Sequence, residues 1–301
     1  MNVLIILPHQ LYKERYYKNI VNPDKIILWE HPHYFTKYKY NKKKLMLHRA
    51  SMKYYKDYLK KKGYIVEYCE YKDKPNIKNT DNTFMFDPID KIKTKIKNLL
   101  ESPNFLMTKD YYCEYRKKTD KFTFNNFYMW CKKKIDIIPL VKSRDKFNRR
   151  RMPKNIKVPK LPVNTKDEVY IKEAAKYVDK NFKKNYGNTE NFIYPISHES
   201  AKKWEMDFFK NKLEKFGPYQ DFIYNKEPYL YHSCLSSSIN IGLLNPLEIL
   251  EYLKPRKSKY NINSYEGYIR QLFWREYQRY TYIYCDFNVN YFGNRKKLTK
   301  K

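Results

Sequence analysis

Glycine is scarce in this sequence, with 6 residues in 301, and its placement weighs against several nucleotide-binding proteins. None of the six follows the first predicted strand, so the GxGxxG turn of ordinary NAD-binding domains is missing. The sequence also lacks a P-loop, a GxSxG elbow and an HExxH motif. A P-loop NTPase, an α/β-hydrolase and a zincin therefore have no support.

Cysteine and long hydrophobic runs are also in short supply. The 5 cysteines are widely spaced and include no CxxC pair, which disfavours a disulfide framework and a zinc knuckle. No stretch approaches about 18 consecutive apolar residues, and residues 1–7 lead into Pro8 without the basic head of a signal peptide. His31 and His33 lack a third ligand nearby, so no metal site is predicted. We expect a soluble, intracellular protein without a membrane span.

Acidic residues are outnumbered, because 63 Lys+Arg face 32 Asp+Glu and the formal net charge is +31. Such a surplus suits a polyanion partner, since Lys and Arg that neutralise phosphates gain affinity by counterion release. However, only 12 of the basic residues are arginine, and the abundant Lys, Asn, Ile and Tyr are typical of an AT-rich genome. Both explanations stay open, and the scarce arginines discriminate between them better than the lysines do.

Five short apolar runs in the first 140 residues are typical of buried strands, at 2–7, 25–29, 64–69, 83–86 and 105–108. Helical patterns lie between and after them, over 43–62 with a C-cap at Gly63, over 88–100 and over 125–135. Strands separated by helices predict a parallel, doubly wound α/β sheet of the Rossmann-like, nucleotide-binding type.

The chain changes character after this region. Residues 141–165 are rich in Lys, Arg and Pro and predict an exposed connector, whose Arg149, Arg150 and Arg151 either contact phosphate or face solvent. From residue 166 the patterns are helical, with candidates at 168–186, 198–215, 246–253 and 264–284. We therefore predict an α/β domain over 1–140, a connector over 141–165 and an all-α part over 166–301.

Serines cluster before an apolar run in residues 219–246, where Ser233 and Ser236 flank Leu235 and follow His232. Serines at a helix start cap its free N–H groups, and the same hydroxyl and N–H groups can instead hold a phosphate. Composition alone favours simple capping. It also favours a structural, hydrogen-bonded role for His232 over a catalytic one.

The predicted helix over 264–284 has a polar side that includes Gln271, Arg275 and Arg279. Arginines at i and i+4 repel each other unless an anion lies between them. This side of the helix therefore either faces water or lines a cavity that holds an anion, and the residues alone leave both possibilities open.

The second half of the chain resembles a known family. The run FGPYQDFIYNKEPYLYHSCLSSSINIGLLNPLEIL, followed by NSYEGYIRQLFWREYQRYTY, is similar to the start of the flavin-binding helical domain of the cryptochrome/photolyase superfamily. The closest branch is the deoxyribodipyrimidine photolyase-related proteins, which includes iron-sulfur bacterial photolyases and cryptochromes. The ILPHQL start, HRASMKYYKDYLKKKGYIVEY and FTFNNFYMWCKKK are similar to the N-terminal antenna domain of that branch. The HSxLS and WREY blocks are the most specific of these matches.

The resemblance implies light-dependent DNA repair, in which reduced FAD passes an electron to a pyrimidine dimer flipped out of the duplex. It assigns FAD contacts to Tyr219, His232, Ser233, Leu235, Ser236, Gln271 and Arg275. It assigns contacts with damaged DNA to Trp274 and Arg279, and the connector arginines Arg149, Arg150 and Arg151 join them. It also implies a second, antenna chromophore of unknown identity near His9 and Gln10.

The chain also departs from the family. Relatives continue well beyond the WREY helix, and Cys234 and Cys285 do not match their cluster cysteines, so no iron-sulfur cluster is expected here. Three hypotheses follow. The chain is one piece of a split or truncated photolyase completed by a second polypeptide, an inactive member that acts as a basic DNA-binding or interaction protein, or a codon-biased remnant that binds polyanions non-specifically.

Overall fold

The structure, a computed structural model, describes residues 1–90, 92, 96–119, 123–135, 148, 156–163 and 167–284. Five parallel strands form its sheet: β1 (Asn2–Ile6), β2 (Lys25–Trp29), β3 (Val66–Cys69), β4 (Asn82–Phe86) and β5 (Asn98–Leu100). Their order is β3-β2-β1-β4-β5. The central β1 is an unbroken apolar run with Val3 to Ile6 all buried, as expected for a parallel strand covered on both faces. Four of the five predicted strands are confirmed.

The fifth predicted strand and the helix predicted before it are wrong. Residues 98–100 end the predicted helix but form β5, which pairs in parallel with β4. Residues 105–108 form turns, because the Met107 N–H donates to Glu276 Oε2 at 3.1 Å and its carbonyl accepts from Arg279 Nη1 at 3.0 Å. These partners lie 169 and 172 residues further along the chain. Tertiary contacts therefore override the local pattern at both places.

Helices cover the sheet and follow it. They are α1 (Lys18–Val21), α2 (Pro32–Phe35), α3 (Lys42–Lys61), α4 (Lys109–Lys118) and α5 (Phe124–Lys134). The predicted helix over 43–62 is confirmed as α3. Gly63 has a φ of +87° just past its end, a left-handed conformation that glycine adopts without steric cost.

The part after the connector is helical over residues 167–284. Its helices are α6 (Glu168–Asn181), α7 (His198–Asp207), α8 (Leu213–Tyr219), α9 (Ser236–Asn240), α10 (Pro246–Leu253) and α11 (Ile262–Tyr284). A π turn over Phe208–Lys212 joins α7 to α8, so the predicted helix over 198–215 is longer and interrupted. None of the described helices combines the length and apolar character that a bilayer crossing requires.

The two predicted parts of the chain pack closely. The helix α6 lies along α3, and α11 lies against α5 and α8. Arg49 of α3 is buried and forms ion pairs with Glu30 at 2.9 Å, Glu70 at 2.8 Å and Glu173 of α6 at 2.6 Å. The first helix after the connector is therefore fixed to the sheet layer.

Candidate functional site: two cavities that share α9 and α11

The first cavity, which we call the serine cavity, has a volume of about 370 Å³. It lies against α8, α9 and α11, and its polar lining consists of Gln220, Asp221, His232, Ser233, Ser236 and Gln271. Four of these residues are among those that the resemblance assigned to FAD. The structure thus brings together residues from the HSxLS block and from the WREY helix.

The turn that carries the serines has an unusual backbone. Cys234 has a φ of +54°, a conformation that few non-glycine residues adopt. The N-cap of α9 is Leu235, which has no capping side chain, and the Leu235 N–H donates to Ser233 Oγ at 3.4 Å. Simple helix capping by Ser236 is therefore wrong. The Nε2 atom of His232 is buried and makes no hydrogen bond in the described structure.

Three of the residues assigned to FAD lie elsewhere. Tyr219 stacks on Tyr231 with ring centroids 5.6 Å apart. Leu235 is fully buried in the core. Arg275 lines the second cavity instead. Among the described residues, the lining of the serine cavity contains one carboxylate, from Asp221, and no lysine or arginine.

The nearest cation that interacts with this lining is Lys212. Its side chain is buried in the π turn, and its ammonium interacts electrostatically with Cys234. Burial lowers the pKa of Lys212. The serine cavity therefore offers hydroxyl, imidazole and amide groups to a ligand, and little positive charge for a diphosphate.

The second cavity lies at the carboxyl edge of the sheet, and we call it the sheet-edge cavity. Its volume is about 510 Å³, and His9 after β1, Asp87 after β4 and Ser102 after β5 form its floor. The strand order reverses between β1 and β4, which is where open α/β sheets bind their ligands. Side chains of α2, α3, α9 and α11 complete the wall.

The two residues expected near an antenna chromophore have different roles in the fold. His9 lines the sheet-edge cavity, and burial lowers its pKa to about 4. Gln10 is buried and holds the backbone, since its Oε1 accepts from the Leu7 N–H at 3.2 Å and its Nε2 donates to the Phe86 carbonyl at 2.7 Å. It therefore positions the ends of β1 and β4.

A second histidine, His48 of α3, lines the same cavity, and burial lowers its pKa to about 3. The carbonyls of Pro88 and Pro8 lie near the rings of His9 and His48, respectively, but neither ring makes a hydrogen bond of good geometry in the described structure. Both imidazoles are therefore neutral near pH 7 and keep hydrogen-bonding capacity for a ligand.

The loop after β4 holds a strained residue beside these histidines. Ile89 has a φ of +66°, which is a marked outlier for a β-branched side chain. Its N–H donates to Asp87 Oδ1 at 3.0 Å, and the next residue, Asp90, accepts from Tyr34 Oη at 2.8 Å. Sequence analysis missed this loop because residues 88–100 have the spacing of a helix.

The polar side of α11 forms the basic wall of the sheet-edge cavity. Arg275 donates through Nε to Asn240 Oδ1 at 3.0 Å and through Nη1 to the Asn104 carbonyl at 2.6 Å. Arg279 is only 4% exposed. The alternative that this side of the helix faces water is therefore wrong, although Gln271 itself is exposed beside the serine cavity.

The other residues expected to contact DNA are placed only in part. Trp274 is half-buried and stacks on Phe124 with centroids 3.7 Å apart and planes 8° apart. Arg149, Arg150 and Arg151 lie outside the described residues.

Comparison with known proteins gives a family and several relatives. The chain matches the family model described as "Deoxyribodipyrimidine photo-lyase-related protein" over residues 4–92 and 84–194. It is 34% identical over 165 residues to a (6-4) photolyase of Agrobacterium fabrum, which covers 51% of this chain and 31% of that protein. The chain thus spans about a third of that photolyase.

Two proteins of Acanthamoeba polyphaga mimivirus are also similar. Uncharacterized protein R853 is 42% identical over 87 residues, which covers 27% of this chain and 67% of R853. Uncharacterized protein R852 is 32% identical over 192 residues, which covers 52% of this chain and 97% of R852.

Proposed function

The chain belongs to the deoxyribodipyrimidine photo-lyase-related proteins, and we propose that it is one piece of a light-dependent DNA-repair flavoprotein. In this proposal the serine cavity holds part of FAD, which when bound supplies the electron that reverses a pyrimidine dimer. The observation that carries the proposal is the convergence of His232, Ser233, Ser236 and Gln271 on one cavity. The WREY and HSxLS residues are about one α11 length apart in sequence but share a wall.

The serine cavity fits FAD in part. A volume of about 370 Å³ is near the lower end of the roughly 300–1,000 Å³ of drug-sized ligand sites, and FAD is larger than such ligands. The hydroxyl and imidazole groups suit a phosphate or ribityl chain, but the described lining lacks a lysine or arginine for the diphosphate. We propose that a second polypeptide supplies the remaining contacts.

The relatives support a division of this kind. R852 is matched along 97% of its length by 52% of this chain, so it is a shorter protein than this one. Proteins that correspond to part of a photolyase therefore exist among the relatives.

The proposed partner is damaged duplex DNA. The net charge of +31 favours salt-dependent binding to the phosphate backbone. Arg149, Arg150 and Arg151 are the proposed backbone contacts. Trp274, with one face stacked on Phe124, is the proposed contact near the flipped base. The α/β part, with the Rossmann-like winding that the family implies, would carry a second chromophore in the sheet-edge cavity beside His9.

The test is FAD uptake by the purified full chain, measured by absorption after removal of free FAD. We expect weak but measurable uptake, which Ser236→Trp abolishes by filling the cavity. Light-dependent repair of a damaged duplex should then appear only when the candidate second polypeptide is added.

Absence of FAD uptake, with and without that polypeptide, would contradict the proposal. It would favour the alternative, a basic DNA-binding or interaction protein without light chemistry, for which the +31 charge is the supporting observation. Equal competition by damaged and undamaged duplexes would then exclude a lesion pocket.

A further inference from the structure

Two arginines of α11 converge on a single aromatic ring in the sheet-edge cavity. The guanidinium carbons of Arg275 and Arg279 lie 4.2 and 4.0 Å from the centroid of Phe105. Cation–π attraction holds each group to the ring, but it also brings two like charges together at i and i+4. This wall therefore concentrates positive charge at one end of the cavity.

Carboxylates of the protein neutralise this charge incompletely. Glu276 Oε1 is 3.8 Å from Arg275 Nη1, and Glu101 Oε1 is 3.9 Å from Arg279 Nη2, distances too long for hydrogen bonds. Burial raises the pKa of Glu276, which weakens it as a counter-charge. Glu101 is exposed enough for water to screen its charge.

Several donors on this wall are unused. The Nε and Nη2 atoms of Arg279 and the Oγ atom of Ser237 are buried and make no hydrogen bond of good geometry in the described structure. Guanidinium and hydroxyl groups are the donors that phosphate prefers, and charge-assisted hydrogen bonds are the strong ones. A phosphate at this point would satisfy these donors and separate the two positive charges.

The other end of the cavity suits a planar ring. His9, Tyr34 and His48 line it, and the rings of His9 and Tyr34 lie 4.7 Å apart. Flat side chains pack well against aromatic ligands, and the two neutral imidazoles can donate to or accept from polar atoms on the edge of a heterocycle. The volume of about 510 Å³ is suitable for one mononucleotide-sized molecule.

We propose that the sheet-edge cavity binds a phosphorylated planar heterocycle, with Arg275 and Arg279 on the phosphate and His9 and His48 beside the ring. This inference deepens the second-ligand site of the proposed function and rests on that site being occupied. It also gives Arg279, expected at a DNA phosphate, a phosphate of a small molecule instead.

The experiment compares flavin mononucleotide with riboflavin, which has the same ring and no phosphate, by fluorescence titration of the full chain in the dark. We expect flavin mononucleotide to bind at least about tenfold more tightly, the gain from one charge-assisted contact set. Competition by adenosine monophosphate distinguishes the ring: displacement assigns a phosphate site that tolerates a nucleobase, and its failure assigns a flavin-type ring. Equal affinity for flavin mononucleotide and riboflavin would overturn the proposal.

Variants locate the phosphate. Arg275→Gln and Arg279→Gln should each reduce the preference for flavin mononucleotide several-fold while riboflavin affinity stays the same, which also shows that the variant is folded. Arg279→Lys should restore part of the preference. Arg256→Gln, which removes a guanidinium stacked on Tyr252, is the matched control and should change nothing. A preference that survives both glutamine variants would contradict the assignment.

Ser236→Trp separates this site from the serine cavity. It should leave the binding of flavin mononucleotide unchanged while it abolishes FAD uptake. Loss of flavin mononucleotide binding in this variant would place the ligand in the serine cavity and overturn the inference. Loss of FAD uptake alone bears only on the proposed function, so the two failures are distinguishable.

Discussion

The serine cavity and the sheet-edge cavity share α9 and α11 but differ in how they are built. Ser236 and Gln271 face the serine cavity, whereas Ser237 and Arg275 face the other. The serine cavity is formed by residues 216–271 and has one described carboxylate and no described cation in its lining. The sheet-edge cavity draws residues from 9 to 282 and includes Lys44 and two arginines. Neighbouring residues on one helix thus serve two sites of opposite charge.

This difference shows what sets the role of a side chain on α11. Gln271 and Arg275 are one turn apart and were expected at the same ligand, yet they line different cavities. The direction of each side chain relative to the sheet decides which ligand it can reach. The cations are all on the side of α11 that meets the carboxyl edge of the strands.

The largest expected effect tests whether the sheet-edge cavity depends on the buried ion cluster behind its α3 wall. Arg49→Met leaves the fully buried Glu30 without its cationic partner. We expect the free energy of unfolding to fall by about 3–5 kcal/mol, measured by urea denaturation. Arg15→Met removes an exposed ion pair with Glu248 and should cost less than about 1 kcal/mol. Equal effects of the two variants would contradict the rigid-wall account.

A smaller effect comes from the neutral histidines of the sheet-edge cavity. Burial lowers the pKa of His48 from 6.5 to about 3, so between these values the unfolded chain binds more protons than the folded protein. Stability therefore rises with pH across this window and is lost on acidification. Between pH 6.5 and 4.5, His48 should contribute a loss of about 2–3 kcal/mol.

The measurement is urea denaturation across that pH range for the native chain and for His48→Gln. The variant should show a shallower pH dependence because one titrating group is gone. An unchanged slope would mean that His48 is protonated in the folded protein or is not buried there.

The smallest effect tests the attachment of α11 to the loop after β5. Tyr112 Oη donates to the buried Glu276 Oε2 at 2.8 Å, so Tyr112→Phe should lower the free energy of unfolding by about 1–2 kcal/mol. The neighbouring Tyr111 is 38% exposed, and Tyr111→Phe should stay within about 0.5 kcal/mol of the native chain. Similar values for both variants would break the proposed contact.

The sequence predicted those parts of the fold that local patterns determine. The strand over 25–29 and the helix over 246–253 agree with β2 and α10 to the residue. For α10, Asn245 caps the first turn through Leu247 N–H and Pro246 takes the first position, so the signals that start it are adjacent in sequence. In β5 and residues 105–108 the partners are distant, and local periodicity gave the wrong state.

The site was predictable to a similar extent. The HSxLS and WREY blocks led to His232, Ser233, Ser236 and Gln271, because these residues stand in recognisable motifs. Residues such as Tyr34, His48 and Asp90 come from separate elements and form no motif. They share a cavity only because the carboxyl ends of parallel strands meet at one edge, and only the three-dimensional structure shows which side chains converge there.

The most direct test of the account is the uptake of FAD by three versions of the full chain: native, Ser236→Trp and Arg279→Gln. The account predicts measurable uptake by the native chain, none by Ser236→Trp, and unchanged uptake by Arg279→Gln, because FAD belongs to the serine cavity alone. Uptake that Arg279→Gln abolishes and Ser236→Trp leaves intact would contradict the division of roles between the two cavities.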